Sequence, residues 1–154
     1  MVTADGVSVR GIEAHDHARW AELYRGYREF YRFTPDDAVI ERVWGWVTDP
    51  AHEVKALVAS IDGRVVGLAH YRRFSRPSSG TVGLFLDDLF ADPDLRGQGV
   101  GRALLGELSR LSARDGYSVV RWITAADNST ARRLYDATAT TTSWVTYDLG
   151  PGTL

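Results

Sequence analysis

Residues 86–105 read LDDLFADPDLRGQGVGRALL, which joins a strand pattern, a glycine-rich turn and the start of an amphipathic helix. The apolar run 82–90 is typical of a strand, and apolar residues after the turn recur at helical spacing. Three glycines alternate with larger residues in the turn, RGQGVGR at 96–102. Glycines let the backbone approach a ligand closely, and a helix start offers free N–H donors. The stretch therefore predicts an anion site, to which Arg96 and Arg102 can add charge.

The glycines have a second interpretation, a tight strand-to-helix turn without a ligand, which stays open on the glycines alone. Two other phosphate-binding motifs are excluded. A P-loop needs a lysine after its last glycine, and the single lysine of the chain is Lys55. A dinucleotide fingerprint needs the spacing GxGxxG. Reading from Gly97 or Gly99 instead places Arg102 or Leu104 at the last position.

The rest of the chain predicts an α/β fold, a mixed sheet with helices packed against it, in the order β-α-α-β-β-β-α-β-α-β. Asp62-Gly63 between two apolar runs predicts a β-hairpin. Asp16 and Thr34 mark helix starts, because such residues cap free amides. We expect strands near 7–10, 54–61, 65–69, 82–90, 119–123 and 140–149, and helices near 17–32, 35–48, 101–114 and 129–136. The length predicts a single domain over residues 1–154.

The composition excludes several classes of function. The 154 residues include no cysteine, which removes disulfides, thiolate metal sites and thiol nucleophiles. The formal net charge of −2, from 18 basic and 20 acidic residues, argues against a nucleic-acid partner. The sequence has no apolar run of membrane-spanning length and no signal-peptide pattern, so we expect a cytoplasmic protein without membrane contact. We expect no metal, because the four histidines lack a ligand constellation.

Two motifs together resemble the GNAT superfamily of N-acetyltransferases. RGQGVG at 96–101 is similar to that family's acetyl-CoA signature, (Arg/Gln)-x-x-Gly-x-(Gly/Ala). DNSTARRLY at 127–135 is similar to its second motif, Asn-x-x-Ala-x-x-Leu-Tyr. The strand LDDLF resembles the diamine, polyamine and histone acetyltransferase branch, which shows Leu-Glu-Asp-Leu-Tyr there. The chain departs from that branch at Asp87 and Ala91, where Glu and Val are common, and it lacks the usual Gly-Phe after the last helix.

The resemblance implies that the cosubstrate is acetyl-CoA and that the product is an amide. In that family the pyrophosphate lies on the amides of the glycine loop. The pantetheine arm pairs with the preceding strand, where the sheet splays apart at a bulge. The resemblance also implies that Asn128 holds this arm and that Tyr135 faces the thioester sulfur. The residues implied in cofactor binding are Leu89, Phe90, Ala91, Arg96, Gly97, Gln98, Gly99, Val100, Gly101, Arg102, Asn128 and Arg133.

The chemistry of acetyl transfer assigns roles to these residues. An alkylammonium has a pKa of about 10.4, so a group must accept its proton. Asp87 and Asp88 are candidates. Strand alternation places them on opposite faces of their strand, unless a nearby bulge changes the alternation. The sequence leaves their roles open, and we favour Asp87 as the base and Asp88 as the substrate-cation site. Tyr135 suits protonation of the departing thiolate, and an amide near Leu89 or Phe90 suits the oxyanion. With no cysteine present, the expected reaction is direct attack in a ternary complex.

The acceptor is the least determined part of this hypothesis. Tyr31 and Trp44 on the first two helices are candidates to hold an alkylammonium by cation–π contact, and core packing is their alternative role. We expect a small amine, such as a diamine, polyamine or amino acid derivative. A protein lysine or N-terminus, and a non-catalytic acyl-CoA-binding module, are the alternatives. The strand-like tail 140–149 would be an exposed edge in a monomer, so we expect a homodimer.

Overall fold

A five-stranded sheet forms the centre of the computed structural model, which describes residues 2–3 and 5–153. The strands are β1 (Val7–Gly11), β2 (Lys55–Ile61), β3 (Arg64–Arg76), β4 (Thr81–Ala91) and β5 (Val120–Arg121). The helices are α1 (His17–Phe30), α2 (Asp37–Thr48), α3 (Val100–Asp115) and α4 (Ser129–Thr138), with short 3-10 turns at Ala14–Asp16 and Pro93–Leu95. This element set confirms the predicted mixed α/β fold.

The strands lie in the order β1-β2-β3-β4-β5. Neighbours from β1 to β4 are antiparallel, and β5 joins β4 in parallel through two residue pairs. The hairpin between β2 and β3 turns at Asp62 and Gly63, whose φ angles are 49° and 78°. Two successive positive φ angles are those of a type I′ turn, which matches the twist of the strands it joins. The predicted Asp-Gly hairpin is therefore confirmed.

Helices cover both faces of the sheet. Neighbouring residues of β3 point to opposite faces, so the contacts of two such residues show which helix lies on each face. Leu68 belongs to a buried cluster with Trp20 of α1 and Ile40 of α2. A Cβ built on its neighbour Gly67 would instead meet Val100 and Leu104 of α3. Thus α1 and α2 lie on one face and α3 on the other. None of the helices in residues 2–3 and 5–153 carries an apolar stretch long enough to cross a bilayer.

Two compact units divide the chain, Met1–Ile123 and Thr124–Leu154. The first contains the sheet with α1, α2 and α3, and the second contains α4 and the tail. The single domain over residues 1–154 stays a prediction.

The expected last strand, over 140–149, is wrong: the structure has no strand there. Thr, Val and aromatic residues favour a strand only where a neighbouring strand pairs with them and buries one face. The tail lacks that burial, and its large apolar side chains are exposed at Trp144, Val145, Tyr147 and Leu149. The strand expected at 119–123 is also shorter, because only Val120 and Arg121 pair with β4.

Candidate active site

A β-bulge in β4 positions the two adjacent aspartates. His70 of β3 pairs with Asp88, and the next residue of β3, Tyr71, pairs with Leu86. Asp87 is therefore an extra residue, opposite no residue of β3. Asp88 hydrogen-bonds with His70, and Asp87 hydrogen-bonds with Arg72, which lies two residues along β3 and so on the same face. The opposite faces expected from strand alternation are thus wrong, and the alternative applies, because the bulge shifts the alternation by one residue.

The Asp88 carboxylate accepts several hydrogen bonds beneath α1, and its side chain is 17% exposed. Its Oδ2 lies 2.8 Å from Nδ1 of His70 and 3.0 Å from the hydroxyl of Tyr24, and Tyr27 also donates to the carboxylate. Burial alone would raise the pKa of Asp88, but the hydrogen bond from His70, the electrostatic attraction of that ring and the hydrogen bonds from Tyr27 and Tyr24 together lower that pKa. Asp88 is therefore held as an anion.

The two tyrosines beside Asp88 stay protonated. Burial, reinforced by the negative charge of Asp88, raises the pKa of both Tyr24 and Tyr27. Their hydroxyls therefore remain donors at any working pH. This agrees with the direction of the hydrogen bond that Tyr24 makes to Oδ2.

Asp87 has the opposite electrostatic character. Nε of Arg72 donates to its Oδ2 at 3.0 Å, and the Asp87 side chain is 31% exposed. Burial raises the pKa of Asp87 by more than the hydrogen bond from Arg72 lowers it. A carboxylate with a raised pKa accepts a proton more readily near neutral pH than an ordinary aspartate does. The bulge thus places a basic carboxylate beside one that stays ionised.

The glycine loop leads into the first turn of α3, where backbone amides lack acceptors within the helix. Gly97 and Gly99 have φ angles of 77° and 80°, in the region that favours glycine, and Gly99 is the N-cap. The first helical hydrogen bond runs from Ala103 N to Gly99 O at 2.9 Å. The amides of the residues in between, 100–102, therefore have no acceptor within the helix. Arg96, Gln98 and Arg102 are exposed around these donors.

An acidic group of the chain itself lies against this loop. Oδ2 of Asp5 is 2.8 Å from the position that a Cβ on Gly99 would occupy. The loop backbone thus admits an oxygen at close range, as a phosphate site requires. The predicted anion site fits the geometry that the structure gives this loop.

Arg19 of α1 and Asp92, the residue after β4, form a hydrogen-bonded clamp that connects the helix to the segment leading into the glycine loop. Nη2 of Arg19 donates to Oδ2 of Asp92 at 2.6 Å, and its Nε donates to the carbonyl of Val65 at 2.8 Å. Asp92 also accepts from the Asp94 amide at 3.0 Å. That backbone hydrogen bond, followed by Arg19, lowers the pKa of Asp92 despite burial. The sequence analysis did not identify this clamp.

The free edge of β4 begins just beyond its pairing with β5, which involves only Leu84 and Phe85. Backbone groups of a strand alternate between its two edges. The Asp92 amide donates to the carbonyl of Val66 on β3, so the backbone N–H and C=O of Phe90, two residues earlier, also point toward β3. The backbone groups of Leu89 and Ala91 therefore point toward the opposite edge of β4. No strand described in the structure pairs with Leu89 or Ala91 at that edge. Of the Leu89 and Phe90 amides, the two expected to stabilise the oxyanion, the Leu89 amide faces the unpaired edge and the Phe90 amide faces β3.

The second motif lies in the unit Thr124–Leu154. Asn128 occupies the N-cap position of α4, and its Nδ2 donates to Oγ1 of Thr124 at 3.3 Å. Residues three and four apart share a helix face, so Ala131 and Tyr135 follow Asn128 along one side of α4. Tyr135 is half-buried and Arg133 is exposed.

The two aromatic candidates for the acceptor lie in different places. Three tyrosines of α1 and its C-cap form an aromatic row beside Asp88, in the order Tyr24, Tyr27 and Tyr31. The ring of Tyr31 is 4.8 Å from that of Tyr27 and forms the solvent-exposed end of the row. Trp44 stacks on His17 at 4.5 Å and packs 5.2 Å from Trp20. The structure thus brings Tyr31 toward the carboxylates and places Trp44 against the core cluster.

Sequence reasoning missed the partners of Asp88, above all His70. His70 is not among the candidates predicted from the sequence, and its side chain is 1% exposed. The alternation of side chains along β3 could have indicated its burial, because His70 lies two residues after the buried Leu68 and so on the same face of the strand. Among the described residues, no cluster of three or more His, Asp or Glu side chains could hold a metal ion.

Comparisons with known proteins identify the family to which the chain belongs. Residues 20–138 match the model of the acetyltransferase (GNAT) family. The D-amino-acid N-acetyltransferase HPA3 of Saccharomyces cerevisiae is 26% identical over 145 residues, covering 93% of this chain and 90% of that protein. The uncharacterized N-acetyltransferase YhfO of Bacillus subtilis is 30% identical over 131 residues, or 84% and 87% of the two chains. The crystal structure of a ribosomal-protein-alanine N-acetyltransferase from Brucella melitensis biovar Abortus 2308 superposes with a TM-score of 0.78 at 24% identity, covering 94% and 98%.

Proposed function

The chain belongs to the GNAT family of acetyltransferases and is an N-acetyltransferase, and from that premise we propose that it acetylates the primary amine of a small molecule, using acetyl-CoA. One observation carries the proposal: two adjacent carboxylates with opposite pKa shifts share one face at the bulge of β4. Transfer to an amine needs both a site for the cation and an acceptor for its proton. The LDDLF stretch lies on this strand, and the acetyl-CoA signature lies in the loop and the helix α3 that follow it.

The cosubstrate site follows from the backbone donors. The free amides of residues 100–102, with the exposed guanidinium groups of Arg96 and Arg102, suit a pyrophosphate. The backbone of Leu89 and Ala91 suits an extended amide-bearing arm, because it faces the unpaired edge of β4. We assign Asn128 and Arg133 of α4 to the same ligand from their positions in the second motif. When bound, acetyl-CoA supplies an activated acetyl group as a thioester.

The residues of the bulge divide the work on the amine. Asp88, held ionised, attracts the ammonium form of the acceptor. Asp87, with its raised pKa, accepts the proton that the nitrogen must lose, directly or through water. The amide of Leu89 donates to the developing negative charge, a role supported by its position at the unpaired edge of β4. Tyr135 takes the role of the acid that protonates the departing thiolate, by its position in the second motif.

A small amine is favoured over a protein by one of the relatives. HPA3, named as a D-amino-acid N-acetyltransferase, aligns with 93% of this chain. Tyr31 at the outer end of the aromatic row offers a face to an alkylammonium entering toward Asp88. Amino acid derivatives, diamines and polyamines are the acceptors that this arrangement suits.

Assembly and location are part of the same proposal. We infer a cytoplasmic homodimer in which the tail packs against a second copy. The tail exposes Trp144, Val145, Tyr147 and Leu149, four large apolar side chains in a short segment. Light scattering of the full chain tests this: a dimeric mass agrees with it, and a monomeric mass at high concentration contradicts it.

The test of the proposed function is an assay of thiol release from acetyl-CoA over a panel of acceptors. The panel contains D- and L-amino acids, diamines, polyamines, and peptides with a free N-terminus or a lysine. We expect amine-dependent release that is fastest with a small amine. Faster release with the peptides would favour the protein-acetyltransferase alternative. CoA binding without release for any amine would favour the non-catalytic alternative.

A further inference from the structure

We propose that His70 is a positioning residue: held in one tautomer by Trp20, it fixes the Asp88 carboxylate to receive the ammonium group of the acceptor. The proposal rests on the proposed function, which assigns the cation to Asp88. Neither Trp20 nor His70 belongs to the two motifs that carry the family resemblance. Their role rests on the geometry alone.

The direction of each hydrogen bond follows from the chemistry of the donors. Nε1 of Trp20 lies 3.0 Å from Nε2 of His70, and an indole nitrogen only donates. Nε2 of His70 therefore accepts, and the ring carries its proton on Nδ1. Nδ1 lies 2.8 Å from Oδ2 of Asp88 and donates to it. The Trp20 and His70 side chains are 0% and 1% exposed, so water does not compete for either bond.

This chain of hydrogen bonds makes His70 a support and not a base. Both of its ring nitrogens are engaged, one by Trp20 and one by Asp88. A proton from the acceptor would have to displace the indole N–H from Nε2. His70 instead directs a fixed donor at Asp88 from β3, while Tyr24 and Tyr27 donate from α1. The carboxylate is thereby held from two sides.

Other charged and titratable groups around Asp88 set its response to pH. Asp87 adjoins it on β4 and disfavours a second negative charge. Arg72 on β3 forms an ion pair with Asp87. On α1, Tyr31 and Arg28 lie near the two tyrosines that donate to Asp88. Without the His70 donor, burial would dominate at Asp88, and its proton affinity would rise.

The first experiment needs no activity. Nitrogen-15 chemical shifts of the His70 ring in the intact protein report the tautomer. We expect a protonated Nδ1 and an accepting Nε2 in the folded wild-type protein. In Trp20→Phe, the ring should become free to exchange between tautomers. A proton on Nε2 in the wild-type protein would overturn the proposal, whatever the enzyme acetylates.

The second experiment compares two substitutions of His70. His70→Leu removes the donor to Asp88, whereas the side-chain amide of His70→Asn can replace Nδ1–H. We expect His70→Leu to raise KM for the amine by about tenfold and to move the acid limb of kcat/KM to higher pH, with KM for acetyl-CoA unchanged. His70→Asn should recover most of both changes. Both variants lose the acceptor of Trp20, so thermal melting compares them on equal terms.

The outcomes separate the two levels of the argument. A wild-type protein that acetylates no amine contradicts the proposed function, and the tautomer is still decided by the nitrogen shifts. If His70→Leu keeps the wild-type amine KM and pH profile, or if His70→Asn is no better than His70→Leu, the positioning role is wrong. Should His70→Leu not fold, His70→Ala, which also lacks the donor, takes its place and is judged by the same outcomes.

Discussion

Gly67→Ala tests whether the contact between β3 and the start of α3 holds the glycine loop in place. A Cβ at residue 67 would lie 2.5 Å from Cγ1 of Val100 and 3.1 Å from the carbonyl oxygen of Phe90. An ordinary carbon–carbon contact is about 3.5–4.0 Å, so Val100 must withdraw by about 1 Å. Overpacking of this size costs about 1–3 kcal/mol of the free energy of unfolding.

The same displacement should reach the cosubstrate site. Val100 is the first residue of α3 and directly follows Gly99, so its movement shifts the free amides of the loop. We expect the Kd for CoA to rise about tenfold, equivalent to about 1.4 kcal/mol. Urea denaturation measures the stability, and isothermal titration calorimetry measures the affinity.

Gly106→Ala is the matched control on the same helix. A Cβ at residue 106 meets no atom within 4 Å, and the residue is exposed inside α3. Replacing a helical glycine by alanine stabilises by about 0.5–1 kcal/mol, so this variant should be more stable and bind CoA as wild type does. Unchanged stability and CoA affinity in Gly67→Ala would refute the reasoning.

Four further predictions concern single groups. Tyr135→Phe should lower kcat by at least about tenfold while leaving the Kd for acetyl-CoA nearly unchanged, as steady-state kinetics and calorimetry can check. Asp87→Asn should lower kcat and remove the acid limb of the pH–rate profile, a limb that the raised pKa of Asp87 places above the range of an ordinary aspartate. Asp16 accepts two hydrogen bonds from Arg10, at 2.7 and 2.9 Å, and the first of the causes that lower its pKa is this pairing. The stability that this pairing contributes is present above the unfolded pKa of about 3.9 and is lost as pH falls through the lower folded pKa. Asp16→Asn should therefore lower the free energy of unfolding by about 1–3 kcal/mol at pH 7, and the stability of the variant should vary less with pH in the acid range. Asp5→Asn should lower the Kd for CoA, because it removes a negative charge beside the loop, and a higher Kd in calorimetry would contradict that placement.

Local signals in the sequence predicted much of the fold. The Asp62-Gly63 turn, the glycine loop and the amphipathic faces of α1 and α3 each depend on neighbouring residues, and the structure has all of them. The family's two motifs are local in the same sense. The carboxylates of the candidate site could be named for the same reason, because acidic residues are rare inside an apolar strand.

Features that depend on distant partners could not be placed from the sequence. The resemblance implied a bulge in this strand, but its position at Asp87 is set by the register between β3 and β4, and alternation along β4 alone gave the wrong face. His70 became a candidate only when α1 placed Trp20 on one ring nitrogen and the bulge placed Asp88 on the other. The tail has strand composition but no pairing, since composition cannot supply a neighbour.

The measurement that tests the central claim most directly is the balance of products in a single reaction. The intact protein is mixed with acetyl-CoA and its best small amine, and free CoA thiol, N-acetylated amine and the mass of the protein are followed together. Direct transfer predicts equal amounts of thiol and N-acetylated amine, with the protein mass unchanged throughout. An acetylated protein that later passes its acetyl group to the amine, or thiol release without an acetylated amine, would contradict the account.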